Sequence, residues 1–376
     1  MNNGTSILAR AVMATPGGFK KGHLVMEGGL IKSMGDGAVP PGSLDLEGDL
    51  LIPGLVELHT DNLEKHLKPR PGLYWPEPGA AMEAHDAQLV SAGITTALDS
   101  VCVGESVDPG RRVLLDLSLA ALSETLPRLR ADHRLHFRCE VGDPEMGELF
   151  DRVCAHPLLG MVSVMDHTPG QRQWRDLDSY RTYHQSKSTD KEIEALAEEI
   201  VRRRDLHAPG HVKKVSEFCG SRGLPLASHD DTTPGHVLEA LGLGASISEF
   251  PTTMEAAREA GADGMAVTMG APNLVRGGSH SGNVSAREVA EAGCLSSLSS
   301  DYVPSSLLLG AHILNRDCGF TMSEALKTVT ETPARLGGLD DRGRLEPGLR
   351  ADLVRVSNGG GRPVVKSVWV AGRQVY

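Results

Sequence analysis

The chain has 376 residues, 40% hydrophobic and 23% charged, with a formal net charge of −11. That balance is typical of a globular protein, and its negative sign argues against non-specific nucleic-acid binding. No apolar stretch reaches the roughly 20 residues a membrane helix needs, and the opening Met1–Ser6 lacks a secretory n-region and h-region. A cytoplasmic, non-exported protein with no membrane partner is expected. The six cysteines include no C-x-x-C pair, so reduced thiols acting as small buried hydrophobes are the reading for each.

In chain order, residues 5–50 carry short strand patterns broken by Gly17-Gly18, Gly28-Gly29 and Gly35-Asp36-Gly37. Eight apolar, β-prone runs then follow: Leu51–Leu58, Ile94–Asp99, Leu135–Glu140, Met161–Met165, Leu224–Ser228, Ser246–Phe250, Met265–Met269 and Leu295–Ser300. Helical patterns separate many of them, at Arg111–Arg130, Lys191–Arg204, Val284–Ala292 and Pro304–Leu314. Eight β/α repeats between residues 50 and 335 predict a (β/α)₈ barrel. A doubly wound sheet would also alternate, but no G-x-G-x-x-G follows the first strand. Residues 343–376 return to short strands, with Gly359-Gly360-Gly361 as a surface turn. Neither end makes a core alone. The expectation is therefore a small β-sandwich from residues 1–50 and 338–376, beside a barrel spanning 51–337.

Active sites of such barrels lie at the C-terminal strand ends. Here those ends carry His59 and Asp61 (strand one), Arg138 and Glu140 (three), Asp166 and His167 (four), His229 to Asp231 (five) and Asp301 (eight). Alternation places His59 and Asp61 on one side of their strand. A lone buried histidine is usually a packed core residue. Imidazoles and carboxylates at five separate ends are harder to assign to packing, because each buried charge needs a partner. They predict a divalent metal, either zinc or, where oxygen ligands dominate, manganese or magnesium, as one or two ions. The basic cluster Lys65, His66, Lys68 and Arg70 leaves room for an anionic small substrate despite the net charge.

The segment Leu51-Ile52-Pro53-Gly54-Leu55-Val56-Glu57-Leu58-His59 resembles the opening of the amidohydrolase superfamily, in which a Pro-Gly turn feeds strand one and its metal-binding histidine. Thr321–Gly337 is similar to the superfamily's closing helix, and Gly343–Gly348 with Ala351–Val354 to its return into the small β-domain. A narrower resemblance runs through His59–His66, Met165–Gln171, Ala227–Asp231 and Leu298–Ser306. It points to one branch, the triphosphate diphosphatases of the carbon–phosphorus lyase pathway.

The resemblance implies metal ligands His59, Asp61, Glu140, His167, His229 and Asp301, with Asp301 also taking a proton from the attacking water. It implies hydrolysis of α-D-ribose 1-methylphosphonate 5-triphosphate to the 5-phosphate and pyrophosphate, in phosphonate catabolism. Lys65, Arg70, Arg138, Arg172, Arg276 and His280 are then the candidates for neutralising the triphosphate. Two departures stand out. Asp61 occupies the place of the usual second histidine, and no strand-end lysine is present to bridge two metals, so Glu140 is the substitute. Phe250 also stands where a second histidine usually follows. A C–N amidohydrolase or deaminase of the same superfamily, and a metal-free scaffold protein, are the alternatives. A homodimer is compatible with such a barrel, although no interface pattern stands out.

Overall fold

The computed structural model describes residues 4–39, 41–105, 110–172, 190–279, 282–357 and 361–376. Eight parallel strands form one sheet in sequential order: β6 (Leu55–Thr60), β7 (Ile94–Val103), β8 (Asp132–Glu140), β9 (Leu159–Met165), β10 (Leu226–His229), β11 (Ile247–Glu249), β12 (Ala266–Gly270) and β13 (Leu295–Ser299). A parallel bridge between Thr60 and Asp301, with the Asp61 amide donating to the Asp301 carbonyl (3.0 Å), brings the last strand end to the first. This is the (β/α)₈ barrel. Its strands read as continuous apolar runs because both faces are covered; all ten residues of β7 are buried.

Inside the barrel Val56, Leu58, Leu98, Met161, Ala227 and Ile247 form one cluster below the strand ends. Outside, Leu89, Ala97, Val101, Leu115, Phe137 and Cys139 belong to the larger core shared with the helices. The connections carry α1 (Asn62–Leu67), α2 (Pro78–Ser91), α3 (Arg111–Thr125), α4 (Met146–Val153) and the long α5 (Asp190–Arg222). The sequence patterns do not single out α1 or α2.

The predicted first strand is two strands. β5 (Leu50–Pro53) pairs with β1 (Ser6–Thr15) and β14 (Leu353–Ser357) in the terminal sheet, and only β6 enters the barrel. Gly54 makes the break. A Cβ there would stand 2.1 Å from Thr95 Oγ1, so only glycine lets the chain pass between the two sheets. With β2 (Gly18–Glu27), β3 (Leu30–Gly35), β4 (Leu44–Asp45), β15 (Val364–Val370) and β16 (Arg373–Gln374), the terminal strands make a single hydrogen-bonded sheet of eight strands, ordered β16-β15-β14-β5-β1-β2-β3 with β4 beside β1. Ile31 of β3 and Trp369 of β15 share one core cluster, so this sheet folds over on itself. Of the predicted glycine turn, Gly359 and Gly360 lie outside the described residues.

Strict alternation also fails at the functional end of β6. The register against β7 shifts between Glu57 and Thr60. This bulge lets Leu58 join the interior cluster while the next side chain, His59, faces His136 and His229.

A buried polar network fills the space between α2 and the outer faces of β7 and β8. His85 Nε2 donates to Asp99 Oδ1 (2.7 Å), His133 Nδ1 donates to Asp99 Oδ2 (2.8 Å), and His133 Nε2 donates to Asp86 Oδ1 (3.3 Å). Asp86 also accepts from the Arg130 and Ala131 amides and the Arg130 guanidinium. Burial opposes a charge on His133, but Asp99 and Asp86 outweigh it and carry the imidazole up to about 9.

A group with a folded pKa raised above its ordinary 6.5 stabilises most below that value and loses its contribution as pH rises through about 9. The thermal midpoint of the metal-loaded protein should therefore fall between pH 6.5 and 9 more steeply than that of His133→Gln. Parallel curves for the two proteins would show that His133 is not charged in the fold.

Candidate metal centre at the barrel mouth

Each strand end contributes to the mouth through a local backbone device. At β6 the bulge turns His59 inward, and its Nδ1 donates to Glu249 Oε1 on β11 (3.0 Å). That bond fixes the tautomer and leaves Nε2 as a lone-pair donor, 3.8 Å from Asp61 Oδ1. Burial, with the Arg138 charge, takes His59 down to about 3, so the imidazole is neutral, as a metal ligand must be.

At β10 His229 is followed by Asp230 with φ of 57°, and the left-handed turn interrupts strand alternation. Asp230 Oδ2 consequently lies 2.9 Å from His229 Nδ1 and 3.8 Å from His167 Nε2. Phe250 and Asp301 repeat the device after β11 and β13, with φ of 55° and 51°. For a bulky residue such as Phe250 this backbone is strained. The strain sets its ring edge-on against both His59 (centroids 4.9 Å apart) and His229 (5.4 Å). The position where a second histidine was sought holds an aromatic wedge between two imidazoles.

The decisive atoms are on His229. Both ring nitrogens are buried: Nε2 has no hydrogen-bond partner among the described residues, and Nδ1 lies 2.9 Å from Asp230 Oδ2 without regular hydrogen-bond geometry. Leaving such a group unsatisfied costs about 1–3 kcal/mol unless something supplies the missing contact. The donor set fits a divalent cation: ligand atoms of His167, His229 and Asp230 all lie within 4.8 Å of one another, and the His59 and His229 rings are 5.5 Å apart. The outer His85–Asp99–His133 group has a similar composition. Its nitrogens and carboxylate oxygens, however, are all hydrogen-bonded to each other, to Asp86 or to Asn62. Of these two groups, the one at the mouth holds the nitrogen without a hydrogen-bond partner among the described residues, His229 Nε2.

The remaining groups set the local field. Arg138 pairs with Asp61 through one nitrogen at 2.6 and 2.8 Å, rather than with Glu140. Burial pushes the Asp61 carboxyl up, but Arg138 outweighs it and holds the group well below the usual carboxylate range. Asp301 moves the opposite way: burial and the Asp61 charge push it up to about 8. A second negative charge at this mouth needs a cation beside it. Glu140 takes both the amide and Nδ1 of His167 on its two oxygens (3.1 and 2.6 Å), and each oxygen keeps a further lone pair. Glu57, fully buried on β6, receives the backbone amides of His59 and Ser300 and ties the first strand end to the last.

The mouth thus gathers His59, Asp61, Arg138, Glu140, His167, His229 and Asp301. The basic candidates separate. Lys65 reaches the Tyr302 carbonyl and lies 4.6 Å from the Tyr302 ring centroid, beside Asp301. Arg172 donates from Nη1 to Asp231 and to the His229 carbonyl, which braces the end of β10. Arg70 and Arg276 are exposed, and His280 lies outside the described residues. The sequence reading missed Glu57 and Glu249 as parts of the site, and it placed Asp230 at the fifth strand end without counting it among the ligands; the i, i+2 relation of Glu57 to His59 and the adjacency of Asp230 to His229 were the available signals. It also missed Arg111 at the start of α3, whose charge is felt at Asp61. Cys102, nearby, is pushed up to about 11 by burial, which makes it inert at neutral pH.

Residues 175–375 match the Amidohydrolase family. The chain belongs to that family. It is also 43% identical over 363 residues, 94% of this chain and 96% of the relative, to alpha-D-ribose 1-methylphosphonate 5-triphosphate diphosphatase of Escherichia coli strain K12. Among solved structures it resembles N-acetylglucosamine-6-phosphate deacetylase from Pasteurella multocida (TM-score 0.66, 14% identity, 99% of each chain covered). It also resembles dihydropyrimidinase from Brevibacillus agri (TM-score 0.67, 11% identity, 99% and 95% covered). These two likenesses show the fold. Within the amidohydrolase family, which generally uses divalent metals, this chain is a hydrolase whose barrel mouth carries His, Asp and Glu clusters that could bind one.

Glu249 holds His59 through Nδ1, and its second oxygen, buried beside His136, has no hydrogen-bond partner among the described residues. Glu249→Gln should therefore keep the fold and lower metal affinity by about 10- to 100-fold, measured by chelator competition. Unchanged affinity would remove Glu249 from the site.

Proposed function

We propose that this protein hydrolyses α-D-ribose 1-methylphosphonate 5-triphosphate between the α- and β-phosphoryl groups, releasing pyrophosphate and leaving the 5-phosphate. The observation that carries the reading is the 43% identity to the Escherichia coli enzyme of that name, spread over 94% of this chain. The site geometry is consistent with it. A mouth of imidazoles and carboxylates suits activation of water, and the departures from a C–N hydrolase, Asp61 and the Lys65 segment, directly follow the strand that opens the site.

His59, His167 and His229, with Glu140, Asp61, Asp230 and Asp301, are the groups that would hold the metal; an imidazole-rich set suits zinc. Bound there, a divalent ion lowers the pKa of water and offsets charge on the phosphoryl oxygens. The chain's own residues supply the rest. Asp301 stands at the end of the last strand, tied to the first by the Asp61 amide and the Thr60 hydroxyl, and accepts the water's proton. Lys65, at the edge of the mouth, is a flexible point charge suited to the outer phosphates. Arg138 is held in the mouth by Asp61 and turns toward the substrate only to the extent that this pair is loosened. The substrate is a small anion, which a mouth-edge lysine can recruit against the net negative charge.

Asp301→Asn should reduce turnover by about 10²–10⁴-fold while metal content stays near that of the wild type. Activity close to wild type would remove Asp301 as the proton acceptor. In ¹⁸O-labelled water the label should enter the 5-phosphate product. Label in pyrophosphate would place the attack on the β-phosphorus and overturn the proposed bond cleavage.

A further inference from the structure

The polar network under α2 does not stop at the outer wall of the barrel. Its last nitrogen, His85 Nδ1, accepts from Asn62 Nδ2 (3.0 Å), and Asn62 is the first residue of α1, directly after Asp61. The chemistry of each link is fixed by its neighbour. Asp99 accepts on both oxygens, so His85 must carry its proton on Nε2 and present Nδ1 as an acceptor. Asn62 must then turn its amide nitrogen toward His85, and its second N–H goes to Gln88 Oε1 (2.9 Å). The Asn62 backbone amide meets Thr60 Oγ1 (3.3 Å), which itself donates to the Asp301 carbonyl (2.9 Å). Asn62, His85, Asp99, His133 and Asp86 are all buried. A continuous, fully partnered chain therefore runs from Asp86 on α2, through β8 and β7, to the turn that separates Asp61 from α1.

The alternative use of these side chains, as a second metal site, is disfavoured by that same partnering. Every candidate ligand atom of His85, Asp99 and His133 already makes a hydrogen bond, in contrast to His229 at the mouth. What the chain does reach is α1, whose short length gives it little stability of its own. α1 follows Asp61 and carries Lys65, which lies over the Tyr302 ring next to Asp301.

We propose that His85, with Asp99 and His133 behind it, is a positioning residue for the hydrolytic site. Through Asn62 it sets where α1 begins, and so where Asp61 and Lys65 stand at the barrel mouth. The inference rests on the proposed roles of Asp61 and Lys65, and Lys65→Ala tests the second of these separately.

His85→Leu removes the acceptor for Asn62 and the donor for Asp99. It should lower kcat/KM for the ribose 5-triphosphate by about ten- to a hundredfold in folded protein that retains its metal, since small misplacements of site groups have effects of that order. His85→Gln, whose amide can both donate and accept, should recover most of the loss. Asn62→Leu leaves the Asp99 links untouched and serves as the second variant should His85→Leu fail to fold. It should show a similar loss, and the double variant should lose little more than the larger single loss, as for two links of one chain. Losses that multiply in the double variant, or wild-type kcat/KM in folded Asn62→Leu, would overturn the proposal. Lys65→Ala with unchanged KM would instead sink the role given to that lysine and leave this outcome readable.

Discussion

The structure depends on one electrostatic constraint: more buried anion and lone pair converge at the barrel mouth than the chain can neutralise. Asp61, Glu140, Asp230 and Asp301 meet there with His59, His167 and His229, while Arg138 is the guanidinium paired within it. Asp61 takes that cation, and the cost appears at Asp301, driven up to about 8. His229, whose Nε2 has no partner among the described residues, shows the same deficit from the side of the lone pairs. A divalent cation answers both at once.

The fold supplies the geometry that makes this deficit possible. Parallel strands closed into a barrel direct every C-terminal end to one mouth, and departures from regular strand geometry then decide which side chains face it. The bulge at Glu57–Thr60 turns His59 inward, and left-handed residues at Asp230, Phe250 and Asp301 aim groups that alternation would have sent elsewhere. Strain at Asp230, Phe250 and Asp301 meets unsatisfied polarity at His229 in the mouth, whereas the His85–Asp99–His133 network shows what the same residue types do when they are meant to hold a wall together.

The eight barrel strands were legible because strands buried on both faces read as uninterrupted apolar runs. Seven of the eight appear close to where the sequence put them; the first was read too early because nothing local shows that Gly54 splits it between two sheets. His59, Glu140, His167, His229 and Asp301 could be found by looking only at strand ends. Asp230 stood at such an end but could not be told from Asp231 as a ligand, and Glu57 and Glu249 could not be found that way. Asp230 enters through a backbone conformation that has no distinctive residue signature, and the two glutamates act by orienting neighbours brought together only by the fold. The basic residues were hardest to place. Arg138 and Arg172 prove to be tied to Asp61 and Asp231, and a sequence count of cations cannot tell a committed guanidinium from an available one.

Titration of chelator-treated protein with zinc, following bound metal and the thermal midpoint together, tests the central claim most directly. The midpoint should rise and level off at one or two equivalents of metal, because the ion relieves the deficit that the empty mouth carries into the folded state. A midpoint indifferent to metal, or no stoichiometric binding at all, would contradict the account of a mouth built around a cation.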